Sequence, residues 1–191
     1  WVMSGLVGAL PFCFSGSVPT FIDGFFEAVS GFTTTGSSVI ADVEGVRKGI
    51  LFWRAFTHWL GGMGIVLLFI AIFPLLGIGP KQMYKAEVPG IEKKGLVPQI
   101  KKSAMILWLI YIGLTFTEVI LLKVSGMDLF DSLCHTFATL ATGGFSTKNA
   151  SVAHFNSFRI EMIITVFMLL AGINFTLYFG IIGKRFRYFF S

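Results

Sequence analysis

An internal repeat, each copy of which ends in a Thr/Gly-rich turn, constrains the fold of this chain more than any other feature. Residues 21–38 and 129–146 follow the same plan 108 positions apart, an apolar stretch of helical length and then the turn. At this single offset Thr34 aligns with Thr142, and Gly36 aligns with Gly144. Repeated units of this kind between long apolar segments indicate a membrane pore with internal pseudosymmetry.

The composition is typical of a membrane protein. The residues are 54% hydrophobic and 13% charged, whereas a typical soluble domain is about 25% charged. Residues 59–79, 104–122 and 162–182 are each apolar over roughly the 20 residues that a bilayer requires. Residues 1–14 are apolar but shorter, and they lack the basic start and cleavage site of a signal peptide. We interpret them as the second half of a spanning helix in a fragment of a longer chain.

The two segments before the turns, residues 22–32 and Leu129–Leu140, are too short to cross a bilayer. Each is predicted to enter as a short helix and to return as an extended turn, which requires protein or water around its backbone. We therefore expect an all-α membrane protein that repeats a span, a re-entrant pore helix with its filter loop, and a second span. The predicted divisions are pore repeat one at 1–76, a basic cytoplasmic linker at 77–102, pore repeat two at 103–183 and a cytoplasmic tail at 184–191.

Basic residues are concentrated on one predicted side of the membrane. The linker and tail hold nine basic and two acidic residues, and the remaining segments hold six basic and eight acidic ones. By the positive-inside rule the linker and tail are cytoplasmic, so both re-entrant loops enter from outside. The net charge of +5 is thus a topology signal. Nucleic-acid binding is not favoured, because no basic patch is interleaved with aromatic residues.

The composition of the two turns suits a monovalent cation. Backbone carbonyls can replace the water around a desolvated ion, Gly permits positive φ, and Thr adds a hydroxyl. The short helices direct their partly negative C-terminal ends at the site. Residues 33–38 and 141–146 contain no carboxylate, the group that Ca²⁺ favours. The alternatives are an anion carrier, an enzyme, for which no catalytic motif is present, and a structural bundle whose turns are helix caps.

Four segments resemble the potassium transporters of the Trk/Ktr/HKT superfamily, most closely the bacterial Trk-type membrane subunit. They are the two filter regions at 25–36 and 132–147 and parts of the following helices at 53–65 and 170–175. The resemblance extends over essentially the whole chain. It implies a pseudo-fourfold central pore made of four repeats, of which this chain holds the first two. It also implies a homodimer in the inner membrane, gated by a cytosolic ring of nucleotide-binding subunits. The linker lysines would contribute to docking of that ring, or would attract anionic lipid.

The resemblance further implies which residues hold the ion. The ligand is expected to be potassium, with no organic cofactor and no enzymatic activity, and the alternative is a sodium-permeable or sodium/potassium-cotransporting member of the same superfamily. Thr35 stands opposite Gly143 in the repeat, which suggests unequal contributions from the two turns. The expected filter residues are Thr34, Thr35, Gly36, Thr142, Gly143 and Gly144.

Several polar and small residues have structural interpretations. Asp23 and Asp131 are predicted to N-cap the short helices, with a charge at the pore mouth as the alternative. The Gly run 61–64 is predicted to let helices pack closely. Glu118 is expected to be hydrated or paired near the outer end of its span. Asn174 is expected to form a hydrogen bond between helices.

The histidines and cysteines give no sign of a metal site. His58 and His135 each lack a second ligand at metal-binding spacing. Cys13 and Cys134 both lie in apolar surroundings, which favours buried free thiols over a disulfide.

Overall fold

The computed structural model describes residues 1–75 and 96–173, with side chains described for 1–64, 105 and 107–173. This part of the chain is helical and contains no strand. Both segments that the sequence predicts as pore helices are short helices, and their re-entrant role stays a prediction. In chain order the helices are α1 (Val2–Phe14), α2 (Phe21–Phe32), α3 (Lys48–Leu75), α4 (Leu96–Val124), α5 (Leu129–Leu140) and α6 (Phe158–Gly172), with a 3₁₀ turn at Ser151–Phe155 before α6.

Within the described residues, one helical segment has the length and apolar composition needed to cross a membrane. This segment, Leu107–Val124 in α4, overlaps the predicted span at 104–122. Apolar residues of α4 are exposed along one side of the helix, as on a surface that faces lipid, at Met105, Leu109, Phe116 and Ile120. The predicted spans at 59–79 and 162–182 begin in α3 and α6 and extend beyond the described residues.

α4 begins at Leu96, so the last residues of the segment predicted as a linker are helical. Pro98 is compatible with this start, because a residue in the first helical turn needs no backbone N–H partner. Residues 77–95, the basic tail and Asn174 lie outside the described part, so the predictions made for them stay predictions.

Repeat one is held together by close packing of α1 against α2. Gly5 and Gly8 allow Val29 and Phe32 of α2 to approach the α1 backbone. Trp53 of α3 donates its indole hydrogen to the carbonyl of Gly8 at 3.0 Å. These contacts hold α1 against both α2 and α3.

α3 lies between the two pore helices and packs against both α2 and α5. Below the turns, α3 also contributes to a buried core that joins four helices of both repeats. This position makes α3 the common support of the two turns. The core residues are Met63 of α3, Tyr111 of α4, Leu140 of α5, and Phe167 and Ala171 of α6.

Candidate functional site: two matched filter turns

Both pore helices end in the same hydrogen-bonded turn. In repeat one, the amide of Thr34 donates to the Gly31 carbonyl at 3.0 Å and the amide of Thr35 to the Ser30 carbonyl at 2.9 Å. In repeat two, the amides of Thr142 and Gly143 donate in the same pattern to Thr139 and Ala138, each at 2.9 Å. This is the Schellman arrangement of a helix C-terminus. These amide hydrogens are therefore bonded inside each turn and are not free to donate to a ligand.

The left-handed backbone conformation recurs at matched positions. Thr34 has φ 55° and Gly36 has φ 77°, while Thr142 has φ 54° and Gly144 has φ 89°. Gly adopts this region freely, but a β-branched residue such as Thr is strained there. The position after a helix cap usually holds Gly, yet both turns hold Thr. Strain of this kind concentrates at functional sites.

The two turns touch each other through Gly36 and Gly143. A Cβ added at Gly36 would overlap the carbonyl oxygen of Gly143, so only Gly permits this approach. The structure therefore gathers residues of both predicted filter segments into one cluster with an open side. In this cluster Thr34, Gly36 and Gly143 are half-buried, and Thr35, Thr142 and Gly144 are exposed.

A side chain of each pore helix holds the serine that follows its turn. Glu27 of α2 accepts a hydrogen bond from the Ser38 hydroxyl at 2.9 Å. At the equivalent position of α5, a ring nitrogen of His135 lies 3.0 Å from the Ser146 hydroxyl. The repeat offset relates Glu27 to His135 as it relates Ser38 to Ser146. His135 thus has a structural partner within its own repeat.

A buried ion pair links the loops that follow the two turns. Arg54 of α3 donates to Glu27 at 2.5 Å, and both side chains are almost fully buried. Arg54 also donates to the Ser146 carbonyl at 3.1 Å, and its guanidinium carbon lies 3.6 Å from the centroid of the Phe145 ring. Glu27 in turn accepts from the Val39 amide at 3.1 Å. One pair therefore contacts the chain after both turns.

The roles of Glu27 and Arg54 were not predicted from the sequence. An Arg in the first turns of an apolar helix is a signal for a buried partner, but the sequence does not show which acid it meets.

Small residues on α3 allow close contact with both pore helices. A Cβ at Gly61 would overlap the Phe32 carbonyl, and one at Gly62 would lie 3.0 Å from the Cα of Ala141. Gly31 of α2 has a similar close approach to Thr57. The predicted packing role of the Gly run is confirmed at Gly61 and Gly62.

The predicted N-caps were wrong, because other residues precede the helices. Thr20 caps α2, and Asp23 completes a capping box from the third helical position. Asp128 caps α5 through the Phe130 amide, and this bond is the main reason that the pKa of Asp128 lies below its ordinary value. Asp131 instead accepts from the Thr147 hydroxyl at 2.8 Å and pairs with Lys148 at 3.6 Å.

Glu118 has no ion-pair partner among the described residues, and its expected hydration stays a prediction. Its side chain is fully buried. The Thr139 hydroxyl of α5 faces it, but neither carboxylate oxygen has a partner of good hydrogen-bond geometry among the described residues. The thiols of Cys13 and Cys134 are free, as predicted, with Cys134 buried and Cys13 half-buried.

Asn149 joins the loops that follow the two turns. Its side chain donates to Asp42 at 2.8 Å and accepts from the Val43 amide at 2.9 Å. The bond from Asn149 is the main cause that holds the pKa of Asp42 below its ordinary value. The chain segments that leave the two turns are thereby fixed to each other.

Comparison with known proteins gives the family. A family model described as TrkH, cation transport protein, matches residues 1–188. The potassium uptake protein TrkH of Escherichia coli K12 is 46% identical over 187 residues, and TrkG of the same strain is 37% identical. Each alignment covers 97% of this chain and 39% of the relative. The chain thus spans about two fifths of the length of these relatives.

A solved structure agrees in fold. The crystal structure of the potassium transporter TrkH from Vibrio parahaemolyticus matches with a TM-score of 0.80 and 39% identity. The match covers 95% of this chain and 36% of that one. The relatives are transport proteins, so the expectation that the chain is not an enzyme is confirmed. The chain belongs to the TrkH family of cation transport proteins.

Proposed function

We propose that the protein containing this chain takes up potassium through a pore whose first two filter segments are the turns described above. The observation that carries the proposal is the pair of turns with matched φ angles that meet at Gly36 and Gly143. The names of the relatives support potassium as the transported ion, since TrkH and TrkG are both named potassium uptake proteins.

The ion is coordinated by backbone carbonyls and Thr hydroxyls of both turns. The amide hydrogens near the helix ends are already bonded, so carbonyl dipoles remain for a cation. The pore helices add the partial negative charge of their C-terminal ends. The oxygen ligands come from Thr34, Thr35 and Gly36 in repeat one and from Thr142, Gly143 and Gly144 in repeat two.

The full protein is a multi-pass protein of the inner membrane that works as a homodimer with a nucleotide-binding cytosolic ring. The family supports the membrane location, while the dimer and ring follow from the superfamily resemblance. Purification of the full-length protein from its own membrane, with mass measurement and identification of bound subunits, tests both. A monomer without such a partner would contradict this assembly.

Replacing Gly36 by Ser tests potassium selectivity against the sodium-permeable alternative. The added Cβ meets the Gly143 carbonyl at a position with φ 77°, so the carbonyl must move away from the ion. We expect potassium preference over sodium to fall about tenfold, equivalent to about 1.4 kcal/mol. Uptake of rubidium and sodium tracers, in cells without other potassium uptake systems, measures this ratio.

Gly16→Ser is the matched control. Gly16 has φ 68° but no neighbour within 4 Å of an added Cβ, so it carries the same backbone strain without touching the filter. Equal tracer ratios in the Gly36→Ser variant and the wild-type protein would refute the role of Gly36.

A further inference from the structure

The side chain of His58 fills the space behind the second filter turn. His58 is fully buried on α3. Its ring stacks on the ring of Phe145, with centroids 3.8 Å apart and planes inclined by 16°. A Cβ added at Gly143 would lie 2.5 Å from Cε1 and 2.6 Å from Nδ1 of the same ring. One ring therefore contacts the loop on both sides of Gly144.

Gly143 is constrained by this ring and not by its own backbone. Gly36 and Gly144 have positive φ, but Gly143 does not. An Ala at 143 is thus compatible with the backbone, and the contact that excludes it is with His58. The backbone of Ser30 faces the ring, but neither ring nitrogen of His58 has a partner of good hydrogen-bond geometry among the described residues. The contribution of His58 to the loop is the volume and position of its ring.

The contact continues from the second turn to the first. The His58 ring touches Gly143, and the carbonyl of Gly143 in turn touches Gly36. The ring therefore limits how far the Gly143 carbonyl can withdraw from the first turn. This gives a physical reason for the departure from symmetry at Thr35 and Gly143. The residue of α6 that the repeat offset relates to His58 is Val166, which is 45% exposed.

We propose that His58 is a positioning residue for ion selectivity, whose ring sets the place of the Gly143 carbonyl at the filter. The inference rests on the proposed function, because the carbonyl must coordinate the ion. A residue of repeat one thus determines the ion specificity of the second turn. A shorter side chain at 58 should make room for the methyl group of an Ala at 143, so the two substitutions should compensate for each other.

A double-mutant cycle in the full-length protein tests this pairing. The variants are Gly143→Ala, His58→Ala and the combination, with potassium and sodium uptake and the amount of protein in the membrane measured for each. We expect Gly143→Ala to lower potassium preference about tenfold, because the methyl group overpacks against the ring. His58→Ala alone lowers the preference less, by about threefold, because the loop loses its support without a clash. The combination recovers to within about threefold of wild type.

Two controls separate positioning from general packing. Gly113→Ala adds a methyl group where no atom lies within 4 Å. Leu122→Ala removes a fully buried side chain from a cluster with Met127, Ile160 and Ile164. We expect Gly113→Ala to behave as wild type and Leu122→Ala to lower the amount of protein without changing the ion preference.

Three results would overturn the proposal: wild-type preference in Gly143→Ala, wild-type preference in His58→Ala, or a combination as defective as Gly143→Ala. If Gly143→Ala does not reach the membrane, recovery of its amount by His58→Ala supports the pairing and lack of recovery overturns it. A wild-type protein that takes up no potassium refutes the proposed function instead, and the recovery of membrane amount still tests the contact.

Discussion

Replacing Arg54 by Met should destabilise the loops that follow both turns, because Arg54 contacts them directly or through Glu27. The guanidinium makes three contacts that Met cannot reproduce: with Glu27, with the Ser146 carbonyl and with the ring of Phe145. The substitution keeps an apolar stem of similar length, so the change is confined to the charged end. It leaves the Glu27 carboxylate buried without its counter-charge.

The contacts of Glu27 set the expected size of the effect. Removing one partner of a buried ion pair costs about 3–5 kcal/mol, because the remaining charge stays desolvated. Glu27 keeps hydrogen bonds from the Ser38 hydroxyl and the Val39 amide, so we expect the lower end, about 3 kcal/mol. Glu27→Gln combined with Arg54→Met removes both charges. The double variant should then lose about 2 kcal/mol less free energy of unfolding than the two single variants lose together.

Unfolding of the purified full-length protein in detergent, followed by tryptophan fluorescence, measures these free energies. Arg47→Met is the matched control, because Arg47 is an exposed arginine directly before the same helix. We expect the control to stay within about 0.5 kcal/mol of wild type. Full additivity of the Arg54 and Glu27 variants, or wild-type stability of Arg54→Met, would show that the pair does not join the loops.

Two further substitutions test other features. Thr142→Gly should not lower the free energy of unfolding, since Gly relieves the strain at φ 54°, yet it should reduce potassium preference by removing a filter hydroxyl. Thr165→Gly in α6 is the control and should lower the free energy of unfolding. A Thr142→Gly variant with wild-type potassium preference would exclude the Thr142 hydroxyl as an ion ligand. Asn149→Ala should return the pKa of Asp42 toward 3.8. Because the pKa of Asp42 is lowered in the folded protein, its contribution to stability is fully present above pH 3.8. That contribution is lost as the pH falls through the lowered pKa. Carboxyl NMR titration measures the change, and an unchanged Asp42 pKa would contradict the link.

The local features of the fold could be predicted from the sequence, and the contacts between repeats could not. The short helix at Leu129–Leu140 was predicted at both ends, because an apolar stretch of this length stops at a Thr/Gly turn. The cap of α2 was assigned to Asp23, although Thr20 holds that position. Both residue types cap helices well, and residues at the cap and at the third position bond reciprocally, so the sequence alone does not separate them.

The unpredicted part of the site consists of pairs that are distant in the sequence. Glu27 and Arg54 lie on different helices, and the pair also reaches Ser146 of the other repeat. The asymmetry between Thr35 and Gly143 was visible, but its cause, the ring of His58, becomes apparent only when α3 is placed between the pore helices. The left-handed Thr34 and Thr142 were also missed, because this backbone region normally predicts Gly.

The position of α3 between the two pore helices has a genetic consequence. The residue that fills the space behind Gly143 belongs to the preceding repeat, 85 positions earlier in the chain. The two copies of the repeat therefore cannot diverge independently, since a change at 143 is tolerated only together with a change at 58. Second-site suppressors of lesions in the second turn should arise in α3, and the two positions should vary together among descendants of this gene.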